Sequence, residues 1–363
     1  MSNNKILVVI DGSYFTYYSI FSAVNKYSKQ HAIEWKSMIK PPEETDQENL
    51  PNLLTSQTFV NYLKKAVMQR CEVVDWLLKK HHQEDLDLAD KIDIVFAADD
   101  YLGHSFRKIK HPEYKAQRKL VKKSYDVGKI LDYVLNNLFD ELDLDGNFGY
   151  NIVRVKGAEG DDVIASTIKN FNDYNLKIII AADKDFLQLD NVKQYNLMGD
   201  EVVRRLHNKK YEGVEIDPKT FLLMKILMGD GADNIPAVAK GIGEVKAWKL
   251  ANDKETLKSL LKESQAVAEQ FSQNRFLIDF NRIPKELENA VVDKVTEALA
   301  KDDITSIVYL VFKVTIRIKN NRRIIFFQQI EISLIREKSA VFFPCFCINL
   351  NYQMIIHNCV KQL

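Results

Sequence analysis

Four short apolar runs, each closed by acid, constrain this chain more than any other feature. Lys5-Ile6-Leu7-Val8-Val9-Ile10 ends at Asp11-Gly12-Ser13, and Ile92-Asp93-Ile94-Val95-Phe96-Ala97 ends at Asp99-Asp100. Asn151–Val155 leads into Gly157-Ala158-Glu159-Gly160-Asp161-Asp162, and Lys177–Ala182 ends at Asp183-Lys184-Asp185. Runs of this length read as strands buried on both faces, as in a parallel sheet covered by helices. Side chains just beyond the carboxyl ends of such strands converge on one crevice. A helix expected over Thr220–Met228 stops at Gly229 and delivers Asp230 and Asp233, so five apolar elements terminate in carboxylates.

Between the strands the apolar spacing is helical over Tyr14–Tyr27, Phe59–Lys80 and Val163–Phe171, while Ser37–Thr58, with Pro41-Pro42 and Pro51, reads as a surface insertion. Val192–Leu197, a tight turn at Met198-Gly199-Asp200, and Glu201–Leu206 read as a hairpin at the sheet edge. The expected fold is therefore α/β, a central, mostly parallel sheet flanked by helices.

Three carboxylates within four residues, at Glu159, Asp161 and Asp162, have two readings. Acids in the first turn of a helix offset its dipole and cap its free N–H groups. Like charges this close also raise one another's pKa unless cations neutralise them, which points to a divalent metal seat. The recurrence of acid at each strand end favours the second reading. Asp11, Asp99 or Asp100, Glu159, Asp161, Asp162, Asp183, Asp185, Asp230 and Asp233 form an oxygen-only donor set suited to Mg²⁺, with Mn²⁺ able to substitute, and large enough for two ions. The chemistry such a pair serves best is in-line displacement at phosphorus, the ions standing ~4 Å apart.

Charge supports a phosphate-handling role locally rather than globally. Fifty-one Lys and Arg against fifty Asp and Glu leave no overall pull on nucleic acid. Residues 101–130, however, gather Arg107, Lys108, Lys110, Lys115, Arg118, Lys119, Lys122, Lys123 and Lys129, interleaved with Tyr101, Phe106, Tyr114 and Tyr125. Such a run is ordinarily a solvated helix face; beside an acidic strand end it offers charge to phosphates and ring faces to unstacked bases. Further on, Gly241-Ile242-Gly243 opens a helix beside Lys240, Lys246 and Lys249, exposing backbone N–H groups able to grip a duplex backbone.

Other chemistries find no footing. The sequence has no G-x-S-x-G elbow, phosphate-binding G-x-x-x-x-G-K-[ST] loop or H-E-x-x-H pair, and the seven histidines lie outside the acidic set. Four cysteines, with Cys71 alone outside the last twenty residues, give no disulfide framework, and the acid at Asp11 comes too early for a signal peptide. No apolar run reaches membrane-spanning length. The cytoplasm, of a host if the chain is phage-encoded, is the expected compartment.

The ordered series resembles the flap endonuclease and 5′-nuclease family, most of all its bacteriophage branch of ribonuclease H or 5′-exonuclease proteins. The motifs that carry it are Val8-Val9-Ile10-Asp11-Gly12; Asp100, Arg107, Tyr114-Lys115 and Arg118; Glu159-Gly160-Asp161-Asp162; Ala182-Asp183-Lys184-Asp185-Phe186 with Gln188-Leu189; Gly229-Asp230 with Asp233-Asn234-Ile235-Pro236; and Gly241-Ile242-Gly243. The resemblance implies a nuclease core over residues 1–206, including a basic helical arch at 101–130. It further implies a helix–hairpin–helix lobe over 207–315 that holds duplex DNA. Residues 316–363 fall outside the family pattern and form an atypical tail.

The activity implied is metal-dependent hydrolysis from 5′ ends, of flaps on branched DNA and of RNA primers in RNA–DNA hybrids. Replication proteins such as a single-strand-binding protein or a sliding clamp would be partners. By the same resemblance Asp11, Asp99 or Asp100, Glu159, Asp161, Asp162 and Asp183 would hold a first ion, and Asp185, Asp230 and Asp233 a second, with Asp183 shared. Arg107 and Lys115 would touch the scissile phosphate, and Tyr114, Arg118, Lys122, Lys240, Gly241, Gly243 and Lys246 the nucleic acid. Ala237 stands where the family has glycine, and Pro236 to Gly241 is one residue longer than usual. The rivals are a nuclease-like body that binds branched DNA without cutting, and a smaller metal-dependent RNase of the PIN type, which would need neither the basic arch nor the G-I-G lobe. In the tail, Cys345, Cys347, His357 and Cys359 suggest a zinc site only weakly, their spacing being unorthodox.

Overall fold

The computed structural model describes residues 4–31, 50–99, 105–117, 124–207, 213–305, 314–319 and 322–327, with side chains followed to residue 300. They belong to two units, Met1–Thr305 and Ser306–Leu363. In the second unit Val314–Lys319 and Arg322–Phe327 pair as an antiparallel ribbon. The cysteines and histidine of the tail lie outside the described residues, as does most of the expected insertion.

The first unit is built on β1 (Lys5–Asp11), followed by α1 (Gly12–Gln30) and the long α2 (Gln57–Asp87), which is kinked at His82. Next come β2 (Lys91–Ala98), the short α3 (Phe106–Lys110), α4 (Val127–Tyr133), β3 (Tyr150–Arg154), α5 (Gly160–Asn170), β4 (Leu176–Ile180) and β5 (Lys193–Tyr195). The strands form one sheet in the order β3-β2-β1-β4-β5, and every pairing in it is parallel. The expected α/β class is what the chain adopts. The edge differs from the expected hairpin in length. Three residues of β5 join the sheet, and the hairpin is short: Tyr195 bridges Glu201, the Val202 N–H donates to the Gln194 carbonyl at 2.9 Å and the Asn196 N–H to the Asp200 carbonyl at 3.0 Å, while Arg205 bridges Glu215 instead.

Why β1 is apolar throughout is visible in the packing. Ile6, Val8 and Ile10 face a core made with α1, α2 and α4, while Leu7 and Val9 face a second core made with α5 and the helix over Lys285–Thr305. A strand with both faces covered cannot alternate polar and apolar residues. Gly12 begins α1 hard against β2, where a Cβ would meet the Phe96 ring and the Ala97 carbonyl.

Beyond the sheet lie α6 (Pro218–Met228), α7 (Glu244–Asn252), α8 (Lys254–Lys262), α9 (Gln265–Ile278) and α10 (Lys285–Thr305). Asp217 caps α6 and Pro218 opens it, as a fixed φ favours at a first helical position. Leu206, Ile216, Met224, Leu227, Val238, Ile242, Ala247, Leu250 and Leu260 form a separate small core, while Ile226 and Ile235 join another with Tyr114, Leu277 and Ile278. α10 returns to cover α5, where Glu288 meets Lys169 and Asn170. Among the described residues no helix is long and apolar enough to cross a membrane.

Candidate active site

The sheet order changes direction between β1 and β4, which is where an open parallel sheet leaves a crevice at its carboxyl end. Asp11 closes β1, Asp99 follows β2, and Asp183 follows β4 after two residues. Asp11 caps α1, its carboxylate accepting from the Tyr14 N–H at 2.9 Å. Asp99 ties two helix starts together, accepting from Ser13 Oγ and from the Gly160 N–H, both at 2.6 Å. Glycine at 160 suits that approach, since a Cβ there would stand 3.3 Å from Asp99 Oδ1. Asp99 thus lies within the cluster; Asp100 lies outside the described residues, as do Arg118 and Lys122.

These acids feel one another. Burial, together with the charges of Asp99 and Asp183, pushes the Asp11 carboxyl up to about 7. Asp161 is driven well above the usual range by burial and by Asp183, Asp11 and Glu159, against the pull of Lys115. Asp183 caps the turn Lys184–Gln188, accepting from the Asp185 N–H at 2.8 Å, and its own carbonyl takes a hydrogen bond from Gln194 Nε2 at 2.6 Å.

Glu159 and Asp162 serve a different purpose. Asp162 is fully buried, accepts from the Glu159 N–H at 3.0 Å as in a capping box, and pairs with Arg107 at 2.7 Å. Here the capping reading of the acidic first turn holds. Arg107 is buried, with Nε on the Leu277 carbonyl at 2.8 Å, so its guanidinium braces α5 and α9. Glu159 accepts from Lys115 Nζ at 2.8 Å and from the Tyr114 hydroxyl at 3.1 Å. Burial raises its pKa, but Lys115 and Arg107 outweigh that and hold it below the usual value.

Lys115 and Tyr114 link this group to the next. The Lys115 N–H donates to the Asp233 carbonyl at 3.0 Å and its ammonium stands 3.9 Å from the Asp233 carboxylate, which Tyr114 also reaches at 3.5 Å. Lys115 has a φ of 55°, a left-handed conformation that costs a side-chain-bearing residue energy and tends to persist at functional sites. Asp230 and Ile235 exchange two backbone hydrogen bonds at 2.8 Å, closing the loop that carries Asp233. Gly229 permits that closure, having a φ of 68° and no room for a Cβ against the Ile235 and Pro236 carbonyls.

Lys225, which sequence reasoning missed, sits between two expected ligands, 2.7 Å from Asp185 and 2.8 Å from Asp230. The only hint was its place in the last turn of α6, where a lysine otherwise complements the helix dipole. Gln194 was equally silent, being a polar residue in an edge strand whose donors reach the Ala181 and Asp183 carbonyls.

The remaining expected contacts lie in the small core. Gly241 has a φ of 79° and Gly243 caps α7, while Ile242 between them is buried as an anchor. A Cβ at Gly241 or Gly243 would meet nothing within 4 Å, so this backbone faces open space between Lys240 and Lys246.

Among the described residues no three acids, histidines or cysteines already close around one point as a metal cage does. The donor chemistry nonetheless fits a hard divalent cation. Asp11, Asp99, Asp161 and Asp183 are oxygen donors within one another's fields, and among the described residues no Lys or Arg forms an ion pair with any of them.

The chain is an α/β protein with a five-stranded parallel sheet flanked by helices, a PIN-like fold. Residues 55–217 match the family model described as 5′-3′ exonuclease, N-terminal resolvase-like domain. That match, over less than half of the chain, supports the 5′-nuclease family. The chain is 31% identical over 240 residues to DNA polymerase I of Caldicellulosiruptor bescii, a match covering 63% of this chain and 24% of that protein. It is 31% identical over 168 residues to the 5′-3′ exonuclease of Mycoplasmopsis pulmonis, covering 46% of this chain and 53% of the relative. In both cases the chain spans about half or less of the relative's length. In fold it is similar to the T5 D15 protein, crystallised with metal ions, with a TM-score of 0.50, 18% identity and coverage of 81% of this chain and 98% of that one.

Proposed function

We propose that this chain is a Mg²⁺-dependent 5′-nuclease that removes flaps from branched DNA and RNA primers from RNA–DNA hybrids during replication, in a phage-infected cell as the resemblance implies. The observation that carries the reading is the meeting of Asp11, Asp99 and Asp183 from the ends of β1, β2 and β4 beside Asp161, in a chain whose residues 55–217 match the 5′-3′ exonuclease model.

Asp11, Asp99, Asp161 and Asp183 would hold one ion, and Asp185 and Asp230, with Asp233 near, a second. Two such ions, when bound, supply an activated water and a counter-charge for the leaving oxygen. The chain's own residues do the rest. Lys115, held by Glu159 and Tyr114, is the cation best placed to exchange its carboxylate partner for a phosphate oxygen and offset the charge gathering there. Arg107 keeps Asp162 and the start of α5 in position. The turn Gly241–Gly243, with Lys240 and Lys246, grips duplex phosphates without reading sequence, since backbone N–H groups and ammonium ions contact only the phosphate. A single-strand-binding protein or sliding clamp belongs to the same proposal as recruiter.

The test incubates purified protein with a 5′-labelled flap duplex and with an RNA–DNA hybrid, in Mg²⁺ or chelator. Cutting should require Mg²⁺, and Asp183→Ala should abolish it while leaving binding largely intact. Equal cutting by the variant rejects the site; binding without any cutting by the unaltered protein leaves a DNA-binding module.

A further inference from the structure

We infer that Lys225 is the resident counter-ion of Asp185 and Asp230, and that a second divalent ion reaches these carboxylates only by displacing it. The inference rests on the two-ion reading above. Lys225 ends α6, and the reversal at Gly229 brings Asp230 back to it, so that its ammonium donates to Asp230 Oδ2 at 2.8 Å. The second oxygen of Asp230 is already taken by the Ala232 N–H at 2.8 Å. On the other side the ammonium lies 2.7 Å from Asp185 Oδ1, an ion pair without hydrogen-bond alignment that leaves this buried oxygen without a donor of its own.

A hard divalent ion binds carboxylate oxygen at about 2.1 Å, so an ion bridging Asp185 Oδ1 and Asp230 Oδ2 takes the two oxygens that the ammonium now holds. Lysine is suited to leaving. Its stem is flexible, its charge is a compact point, and 16% of the side chain already reaches solvent. The contrast with the neighbouring set is what gives the arrangement a consequence. Among the described residues no Lys or Arg pairs with Asp11, Asp99, Asp161 or Asp183, so a first ion meets carboxylates whose charge no cation offsets at contact, while a second meets carboxylates already neutralised. The third member of the second set, Asp233, is turned to Tyr114 and Lys115. Metal loading is therefore ordered, with Lys225 setting the gap between the two affinities.

The test titrates metal-free protein with Mn²⁺ and follows the free ion by electron paramagnetic resonance. The unaltered chain should bind one ion tightly and a second at least about tenfold more weakly, the cost of first breaking charge-assisted contacts. Lys225→Met, of similar shape and no charge, should tighten the second ion by about tenfold or more and leave the first unchanged. Lys225→Gln should act in the same direction, and a thermal melt of each variant confirms the fold. A second affinity that is unchanged or weaker in both variants overturns the inference. One ion that disappears in Asp183→Asn, with no second ion in any protein, sinks the role of Lys225 and keeps the first site. Absence of Mn²⁺ binding throughout rejects the nuclease reading as well.

Discussion

The Arg107 guanidinium lies 2.7 Å from the Asp162 carboxylate, with 2% of one side chain and none of the other exposed. Removing one partner of such a pair strands a buried charge. Arg107→Met should therefore lower the unfolding free energy by about 3–5 kcal/mol. Urea denaturation measures this, and the double variant Arg107→Met/Asp162→Asn should recover part of the loss. A single-variant loss within experimental error would show that the pair does not brace α5.

Lys115 combines a left-handed backbone with a charge near Glu159, and two substitutions separate these properties. Alanine keeps the strain at a φ of 55°, whereas glycine relieves it, so Lys115→Gly should be more stable than Lys115→Ala by about 1 kcal/mol. Both lack the ammonium. On the proposed reading both should cut on the order of 10²–10³-fold more slowly, the scale seen when a charge-stabilising donor is removed. Retained cutting by either variant would take Lys115 out of the chemistry.

At Gly229 the backbone has a φ of 68° and a ψ of −166°, a region that only glycine enters cheaply, and a side chain would strike the Ile235 and Pro236 carbonyls. Gly229→Ala should cost about 3 kcal/mol or more by denaturant titration. It should also release the loop holding Asp230 and Asp233, visible as faster amide exchange at Ile235. A neutral substitution would mean that this loop tolerates another closure.

Glu288 supplies a pH dependence remote from the acidic crevice. Burial raises its pKa, but Lys169, Lys285 and Asn170 outweigh burial and bring it below 4.5. A depressed carboxyl stabilises the fold above its unfolded value, and that contribution fades as pH falls through its folded value. Glu288→Gln should therefore cost about 1–3 kcal/mol at pH 7. The gap between the two proteins should close as pH drops below 4.5, and urea midpoints taken at pH 7 and in that acid range read it directly. A gap that persists at low pH would assign the effect to packing.

For duplex binding, the logarithm of affinity should fall linearly with that of salt, because phosphate contacts release counterions. Lys240→Gln and Lys246→Gln should each reduce that slope by about one, across unrelated sequences. An unchanged slope in both would remove the Gly241–Gly243 turn from the interface.

Much of the scaffold could be read in the chain because parallel strands with both faces covered must be continuously apolar, and Ile6–Ile10, Val95–Ala97 and Ile178–Ile180 are. The meeting of Asp11, Asp99 and Asp183 followed from that reading, since strand ends of one parallel sheet share an edge. The roles inside the cluster did not. Whether Asp162 faces a cation or an internal arginine depends on where residue 107 arrives from another element, and nothing in the local spacing encodes that. Lys225 was hidden for the same reason, as its meaning comes from the fold-back at Gly229 and from Asp185, forty residues earlier. The edge hairpin is present but shorter than the apolar spacing suggests, because Arg205 turns away to bridge Glu215.

One consequence of the sheet order concerns the life of the chain before it is finished. Asp11 is made early, but its neighbour in the sheet, β4, ends only at Ile180, and Asp183 follows later still. A polypeptide halted midway on the ribosome holds the first acids without a crevice to gather them. On the proposed reading, the growing chain has no seat for a metal ion, and so no means of cutting, until the late strand slots in beside the earliest one.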